Sequence, residues 1–157
     1  MPRTTPSIKI EEVKKMKSEV VLVGDNFDES LDSALKFCKK HKLPFIHPFD
    51  DPEVISGQGT IGKEIIEDFQ EKIDVIFVAV GGGGLISGLG AYIKSFNPKI
   101  KIVAVEAEDA AGLHKSLEIG KRIKLDKVGL FADGAAAKQI GLNNYQLIKE
   151  WLSLIHI

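Results

Sequence analysis

Four consecutive glycines, at positions 81–84, stand where an apolar run ends and a helical pattern begins. The run covers residues 75–80, and the helical pattern starts at Leu85. Glycine leaves backbone N–H groups uncovered, and the helix directs its partial positive end at the loop. Because the loop contains no Lys or Arg, an anion would be held by backbone amides and the helix dipole. The sequence therefore predicts a site for a phosphate group that is tethered to a larger cofactor.

The elements that must position this loop alternate between strands and helices. We predict helices at residues 10–16, 28–41, 52–71, 85–96, 112–120 and 145–151, and strands at 19–23, 45–46, 74–80 and 100–105. The strands are continuously apolar, which is typical of a parallel sheet buried on both faces. The predicted fold class is therefore α/β, with a doubly wound parallel sheet covered by helices.

Composition excludes several classes of protein. The chain has 157 residues, of which 44% are hydrophobic, and a formal net charge of −1, so it is long and apolar enough to bury a core. Its 21 basic residues are scattered among 22 acidic ones, so we expect no nucleic-acid partner. The single cysteine, Cys38, excludes a disulfide framework and fits a reducing compartment. No apolar stretch is long enough to span a membrane, and we expect a soluble protein.

A second glycine-rich segment, Gly57-Gln58-Gly59-Thr60-Ile61-Gly62-Lys63, imitates two nucleotide-binding motifs. It satisfies G-x-G-x-x-G and has the glycine and lysine spacing of a P-loop. Glu64 stands where a P-loop needs Ser or Thr to hold magnesium, and residues 50–53 cannot form the strand that either motif requires. We therefore expect these glycines to let a helix pack closely against neighbouring backbone.

A dinucleotide site at the glycine run is the main alternative. Gly82 and Gly84 supply the first two glycines of that motif after a real strand, and Glu106 follows where a ribose-binding acid belongs. Ser87 occupies the position of the third glycine. An NAD(P)-binding dehydrogenase domain thus stays open. So does a non-catalytic module that binds a phosphorylated metabolite.

Five segments carry a resemblance that spacing alone does not supply. They are Ile46-His47-Pro48-Phe49-Asp50-Asp51, Gly57-Gln58-Gly59-Thr60-Ile61-Gly62, Val80-Gly81-Gly82-Gly83-Gly84-Leu85, Val105-Glu106 and Leu130-Phe131-Ala132-Asp133-Gly134. In order and separation the chain resembles the threonine dehydratases, from Met1 to about Leu152. These are fold-type II pyridoxal-phosphate enzymes with a tryptophan-synthase-β-like fold. Residues 1–6 and 128–134 resemble the biosynthetic branch more than serine dehydratase or serine racemase, which are alternatives within the same fold.

The resemblance implies a function and a cofactor. It implies pyridoxal-phosphate-dependent deamination of L-threonine to 2-oxobutanoate and ammonia, the first step of isoleucine biosynthesis, by a full-length enzyme that we expect to be a homo-oligomer. It also implies that the cofactor phosphate is cradled by Gly81, Gly82, Gly83, Gly84 and Leu85. The family's Schiff-base lysine precedes the segment that matches Met1, so we predict no catalytic residue in this chain. Lys63 and Lys94 are expected to be solvated surface cations.

The same resemblance predicts how the chain is divided. Residues 1–45 would be the end of the small cofactor-covering domain and residues 46–151 part of the large domain. We expect an interior fragment that is inactive alone, in which residues 152–157 are a non-native tail; a short edge strand is the competing interpretation. The compartment stays open between cytoplasm, mitochondrion and plastid.

The remaining polar residues give weaker signals. In related enzymes Glu106 and the carbonyl of Ala110 help bind a cation, but Gly112 replaces a family acid, so no metal is predicted. His47 with Asp50 and Asp51 would suit an acid–base or metal cluster, although such a histidine more often satisfies backbone groups. Two further expectations are a turn at Asp133 and core positions for Trp151 and Phe131.

Overall fold

The computed structural model describes residues 1–69, 73–129, 132–152 and 154–156. Glu71, the predicted end of a helix, and Leu130 and Phe131, from the last of the five segments, lie outside the described residues. The chain divides into two compact units, residues 1–46 and residues 47–157. Their assignment to a small and a large domain stays a prediction.

The first unit contains two helices, α1 (Ser7–Lys15) and α2 (Phe27–His41). Asn26 caps α2 by accepting a hydrogen bond from the backbone N–H of Glu29, and the Glu29 carboxylate in turn accepts from Nδ2 of Asn26 and from the Asp25 N–H. The strand predicted at residues 19–23 is wrong. Among the described residues, the backbone of this segment bonds to that of Met1 and the adjoining Gly24 to Arg3, too little pairing for a strand.

The second unit is built on a three-stranded parallel sheet. Its elements are α3 (Pro52–Asp68), β1 (Val75–Ala79), α4 (Gly84–Phe96), β2 (Lys101–Val105), α5 (Gly112–Ile119), α6 (Leu142–Trp151) and β3 (Leu154–His156). The strand order is β1-β2-β3, with Val75 opposite Lys101 and Val103 opposite Leu154. A short strand thus stands within the segment for which a non-native tail is predicted; the origin of that segment stays a prediction.

The core of this unit lies between the sheet and its helices. It consists of Val78, Val80, Ile86, Leu89, Ile93, Ile100, Ile102, Ala104, Leu113, Ile140, Tyr145 and Ile148. The α/β class and the parallel sheet are as predicted. Coverage of β1 is one-sided, however, because Val78 is buried whereas the Phe77 side chain is 68% exposed. The strand predicted at residues 45–46 is wrong, because the structure has no strand there.

Three glycines bring α3 and α4 into close contact. A Cβ atom at Gly62 would lie 3.1 Å from the carbonyl oxygen of Leu89, and one at Gly88 would overlap the carbonyl oxygen of Ile55 and approach the backbone nitrogen of Gly59 to 2.7 Å. Gly59 and Gly62 of the nucleotide-like segment therefore serve helix packing, as predicted, but from the interior of α3, whereas a Cβ atom at Gly57 would meet no atom within 4 Å. None of the helices among the described residues is long and apolar enough to cross a membrane.

Candidate functional site

The glycine loop, defined as residues 81–84, forms one wall of a cavity of about 590 Å³ at the carboxyl end of β1. The described residues around the cavity are Pro48, Phe49, Gln58, Ala79, Gly81, Gly82, Gly83, Gly84, Leu85, Ala132, Gly134 and Ala135. None of these carries an ionisable side chain. An anion in this cavity would therefore meet backbone amides rather than a cation.

The backbone N–H groups of the loop donate no hydrogen bond to the residues that the structure describes. The first helical hydrogen bond of α4 runs from the Ser87 N–H to the Gly83 carbonyl, at 3.0 Å. No acceptor among the described residues is found for the N–H groups of residues 81–86. This is expected at the first turn of a helix, whose amides lack intrahelical partners. Several donors and the positive end of α4 thus meet beside the cavity.

The walls of the cavity approach the loop so closely that side chains are excluded. A Cβ atom at Gly82 would overlap the Phe49 ring, and one at Gly84 would lie 2.9 Å from the Phe49 carbonyl oxygen. A Cβ atom at Gly81 would lie 2.9 Å from the Cα of Ala135. Gly83 also has a φ of 93°, in the left-handed region that favours glycine. Uncovered amides beside a neutral cavity suit a phosphate group bound to an organic body.

The amino end of α6 is hydrogen-bonded to the glycine loop. The Gly82 carbonyl oxygen accepts hydrogen bonds from the Gly141 N–H at 3.0 Å and from Nδ2 of Asn144 at 2.9 Å. Nδ2 of Asn144 also donates to the Phe49 carbonyl, at 2.7 Å. The Asn144 side chain is fully buried. One amide group thereby joins the loop to the backbone of Phe49, which lies close to Gly84.

Asp50 fixes α6 across a long stretch of sequence. Its carboxylate accepts hydrogen bonds from the N–H groups of Leu142 at 2.8 Å, Asn143 at 2.9 Å and Asn144 at 3.3 Å. The neighbouring Asp51 is an ordinary N-cap, because it accepts from Glu53 and Val54 of its own helix. The two carboxylates therefore cap two different helices.

Replacing Asp50 with alanine is expected to lower the free energy of unfolding by about 2 kcal/mol, because three amides lose a charged acceptor. Asp51→Ala is the matched control and should cost about 1 kcal/mol, the usual cost of one N-cap. Urea unfolding followed by circular dichroism measures both values. Equal losses for the two variants would contradict the role of Asp50 as a link between distant segments.

His47 satisfies backbone groups, as expected for the commoner case. Its Nδ1 accepts hydrogen bonds from the N–H groups of Asp50 at 3.0 Å and Phe49 at 3.3 Å, so this nitrogen carries no proton. Burial lowers the pKa of the His47 imidazole below its usual value of 6.5, although the Asp50 and Asp51 carboxylates act in the opposite direction. Protonation would remove the acceptor from both amides.

This geometry predicts a stability that falls with acidification. Because the pKa of His47 is lower in the folded chain, the unfolded chain binds the proton more readily, and stability is lost as the pH falls below about 6.5. His47→Asn keeps an acceptor for nearby backbone amides without a titrating group. Unfolding measured between pH 5 and 8 should show a flatter profile for the variant. A parallel loss in both proteins would refute the assignment.

Glu106 is buried and caps α5. Its carboxylate accepts hydrogen bonds from the Leu113 N–H at 2.9 Å and the His114 N–H at 2.7 Å, and the residue is 4% exposed. Burial raises the pKa of the Glu106 carboxyl, and the hydrogen bonds from His114 and Leu113 oppose that rise. Glu106 is therefore a buried helix cap. Both carboxylate oxygens already hold amides, which also weakens the interpretation as a ribose-binding acid.

The predicted surface lysines lie outside the cavity. Lys63 is paired with Glu67 at 3.6 Å, and both side chains are more than half exposed. Lys94 differs from expectation, since its Nζ donates to the carbonyl oxygens of Ile100 at 2.7 Å and Pro98 at 3.2 Å, and so holds the turn between α4 and β2. No group of three or more His, Cys, Asp or Glu suited to a metal ion occurs in the part of the chain that the structure describes.

Comparison with known proteins gives the chain a family. A family model described as pyridoxal-phosphate dependent enzyme matches residues 1–155. A biosynthetic L-threonine dehydratase of Halalkalibacterium halodurans is 45% identical over 155 residues, and a chloroplastic biosynthetic threonine dehydratase of Solanum lycopersicum is 51% identical over 150 residues. The alignments cover 97% and 96% of this chain, but only 37% and 25% of those relatives.

Solved structures agree. The processed form of threonine deaminase isoform 2 from Solanum lycopersicum superposes with a TM-score of 0.91 at 44% identity, covering 99% of this chain and 45% of that one. Maize serine racemase gives a TM-score of 0.90 at 31% identity, covering 98% and 46%. The chain thus spans less than half the length of these relatives. With an amide-lined cavity suited to a phosphate and a family match along nearly its whole length, the chain belongs to the pyridoxal-phosphate-dependent enzymes.

Proposed function

We propose that this chain is the phosphate-holding part of a threonine ammonia-lyase, which converts L-threonine to 2-oxobutanoate and ammonia with pyridoxal phosphate. The observation that carries the proposal is the glycine loop, whose amides have no acceptor among the described residues and whose cavity lacks ionisable side chains. The identity of 45–51% to biosynthetic threonine dehydratases supports threonine as the substrate and synthesis of isoleucine as the context.

In this proposal the role of the chain is to bind and orient the cofactor. Gly81, Gly82, Gly83, Gly84 and Leu85 would hold the phosphate, through hydrogen bonds from their N–H groups and the dipole of α4. When bound, pyridoxal phosphate supplies the electron sink for loss of the α-proton and the β-hydroxyl group. Phe49 and Ala135 line the cavity and lie close to the loop, which would keep water from the phosphate amides.

Ligand binding by the 157-residue chain tests the site. Calorimetry should show that pyridoxal phosphate binds and that pyridoxal, which lacks the phosphate, binds far more weakly. NAD should bind more weakly than pyridoxal phosphate, because the carboxylate of Glu106, the candidate ribose-binding acid, already accepts two amide hydrogen bonds. A preference for NAD, or equal binding of pyridoxal and pyridoxal phosphate, would refute the assignment of the loop.

A chimera tests the activity and its substrate. Residues 1–152 would replace the matching segment of the Halalkalibacterium halodurans threonine dehydratase, which retains its own sequence elsewhere. We expect 2-oxobutanoate formation from threonine within about tenfold of the parent enzyme, and slower turnover of serine. A folded chimera that binds pyridoxal phosphate but prefers serine would contradict the proposed substrate. The unmodified parent enzyme, purified and assayed in the same way, is the control.

We further propose that the full-length protein is a homo-oligomer in a reducing compartment. The single cysteine among 157 residues supports the second part. Relatives carry the names of different organelles, chloroplastic in Solanum lycopersicum and mitochondrial in Schizosaccharomyces pombe. Light scattering of the full-length protein tests the oligomeric state, and a monomer would contradict it.

A further inference from the structure

We infer that Asn144 is a positioning residue for the phosphate site, because it fixes the direction of the Gly83 N–H. This inference rests on the proposed function of the glycine loop. Asn144 lies on α6, 62 residues from the carbonyl that it binds, and none of the described residues around the cavity belongs to α6. Its effect on a bound phosphate would therefore be transmitted through the backbone of the loop.

The planarity of one peptide unit supplies the mechanism. The Gly82 carbonyl and the Gly83 N–H belong to the same peptide, in which the two groups point in opposite directions. Two donors at the amino end of α6, the Gly141 N–H and Nδ2 of Asn144, hold the Gly82 oxygen on the α6 side. The Gly83 N–H is consequently directed away from α6. Because Gly83 lines the cavity and α6 does not, this places the N–H on the cavity side.

The Asn144 side chain is itself held in place. The two protons of its Nδ2 are both used, one for the Gly82 carbonyl and one for the Phe49 carbonyl. The side chain has no exposed surface, and Asp50 anchors the backbone N–H of Asn144 at 3.3 Å. Gly83 also packs closely against this side chain, because a Cβ atom added to Gly83 would lie 2.9 Å from the Cβ of Asn144. Rotation of the Gly82–Gly83 peptide would break these contacts, so the amide is preset before a ligand arrives.

Nuclear magnetic resonance of the ¹⁵N-labelled chain, titrated with inorganic phosphate, tests the inference. The Gly83 amide should be among the signals that shift most, because an N–H bound to an anion is strongly deshielded. Asn144→Leu keeps a similar volume but removes both donated hydrogen bonds. We expect this variant to bind phosphate and pyridoxal phosphate roughly tenfold more weakly or worse and to lose the shift at Gly83.

Ser116→Ala is the matched control. Ser116 is also fully buried, and its hydroxyl bonds to the Gly112 carbonyl and the Ile123 N–H rather than to the loop. This variant should lose stability but keep both the affinity and the Gly83 shift.

Wild-type affinity in Asn144→Leu with the Gly83 shift retained would overturn the inference. If that variant does not fold, the wild-type titration decides: binding that shifts other loop amides but not Gly83 also overturns it. If no amide of residues 81–86 shifts in the wild type, the proposed function fails with it.

Discussion

Replacing Gly82 with alanine is expected to lower the affinity for pyridoxal phosphate by about 100-fold. The added Cβ atom would overlap the Phe49 ring, so the loop must move away from Phe49 and its peptide units must turn. A hydrogen bond to a charged group is worth at least about 1.5 kcal/mol, so loss of two costs about 3 kcal/mol, which is roughly a 100-fold change in affinity. Calorimetric titration with pyridoxal phosphate measures the change.

Gly57→Ala is the control for this substitution. Gly57 lies within α3, and no atom lies within 4 Å of the position that its Cβ would occupy. The same chemical change there should leave the affinity unaltered and raise the free energy of unfolding by up to about 1 kcal/mol, since alanine favours a helix over glycine. If Gly82→Ala binds pyridoxal phosphate as tightly as Gly57→Ala does, the loop is not the phosphate site.

Replacing Gly88 with alanine is expected to cause a large loss of stability, about 3 kcal/mol. Gly88 lies in α4, where the new methyl group would overlap the Ile55 carbonyl oxygen and crowd the Gly59 nitrogen of α3. Both obstacles are backbone atoms, so no side-chain rotation can relieve the overlap, and the helices must separate. The gain in helix propensity, about 1 kcal/mol, offsets only part of this cost.

Urea unfolding of Gly88→Ala beside Gly57→Ala isolates the helix contact. Both variants exchange glycine for alanine inside a helix, so the difference between them reports the crossing of α3 and α4 alone. We expect the change in the free energy of unfolding to have opposite signs, with Gly88→Ala less stable than the wild type and Gly57→Ala more stable. Equal stability of the two variants would contradict the claim that close contact between α3 and α4 requires glycine at position 88.

The regular elements were predictable because their signals are local. The apolar run at residues 75–80 and the helical spacing after it place β1 and α4 within one or two residues of their observed bounds. The strand predicted at residues 19–23 fails for the opposite reason. A strand depends on a partner, and residues 1–46 offer this segment little backbone pairing among the described residues.

In the candidate site, too, the local feature was predictable from the sequence and the long-range contacts were not. The glycine loop was visible in the sequence, because a run of glycines between a buried strand and a helix has few structural explanations. Asn144 and Asp50 were not visible, since each acts on backbone that lies 62 to 95 residues away. A polar residue at the start of a helix is too common to mark such a contact. The burial of Glu106 was missed for a similar reason, because it follows from packing against α5.

A crystal structure of the chain grown with pyridoxal phosphate tests the central claim most directly. The claim is that backbone amides of the loop at residues 81–84 and of Leu85 hold the phosphate. We predict electron density for the phosphate within hydrogen-bonding distance of these N–H groups, with the ring in the cavity beside Phe49. Density for the phosphate elsewhere, for instance on Lys63 in a second cavity that is lined by residues of α3, α4 and α6, with the loop empty, would contradict the account.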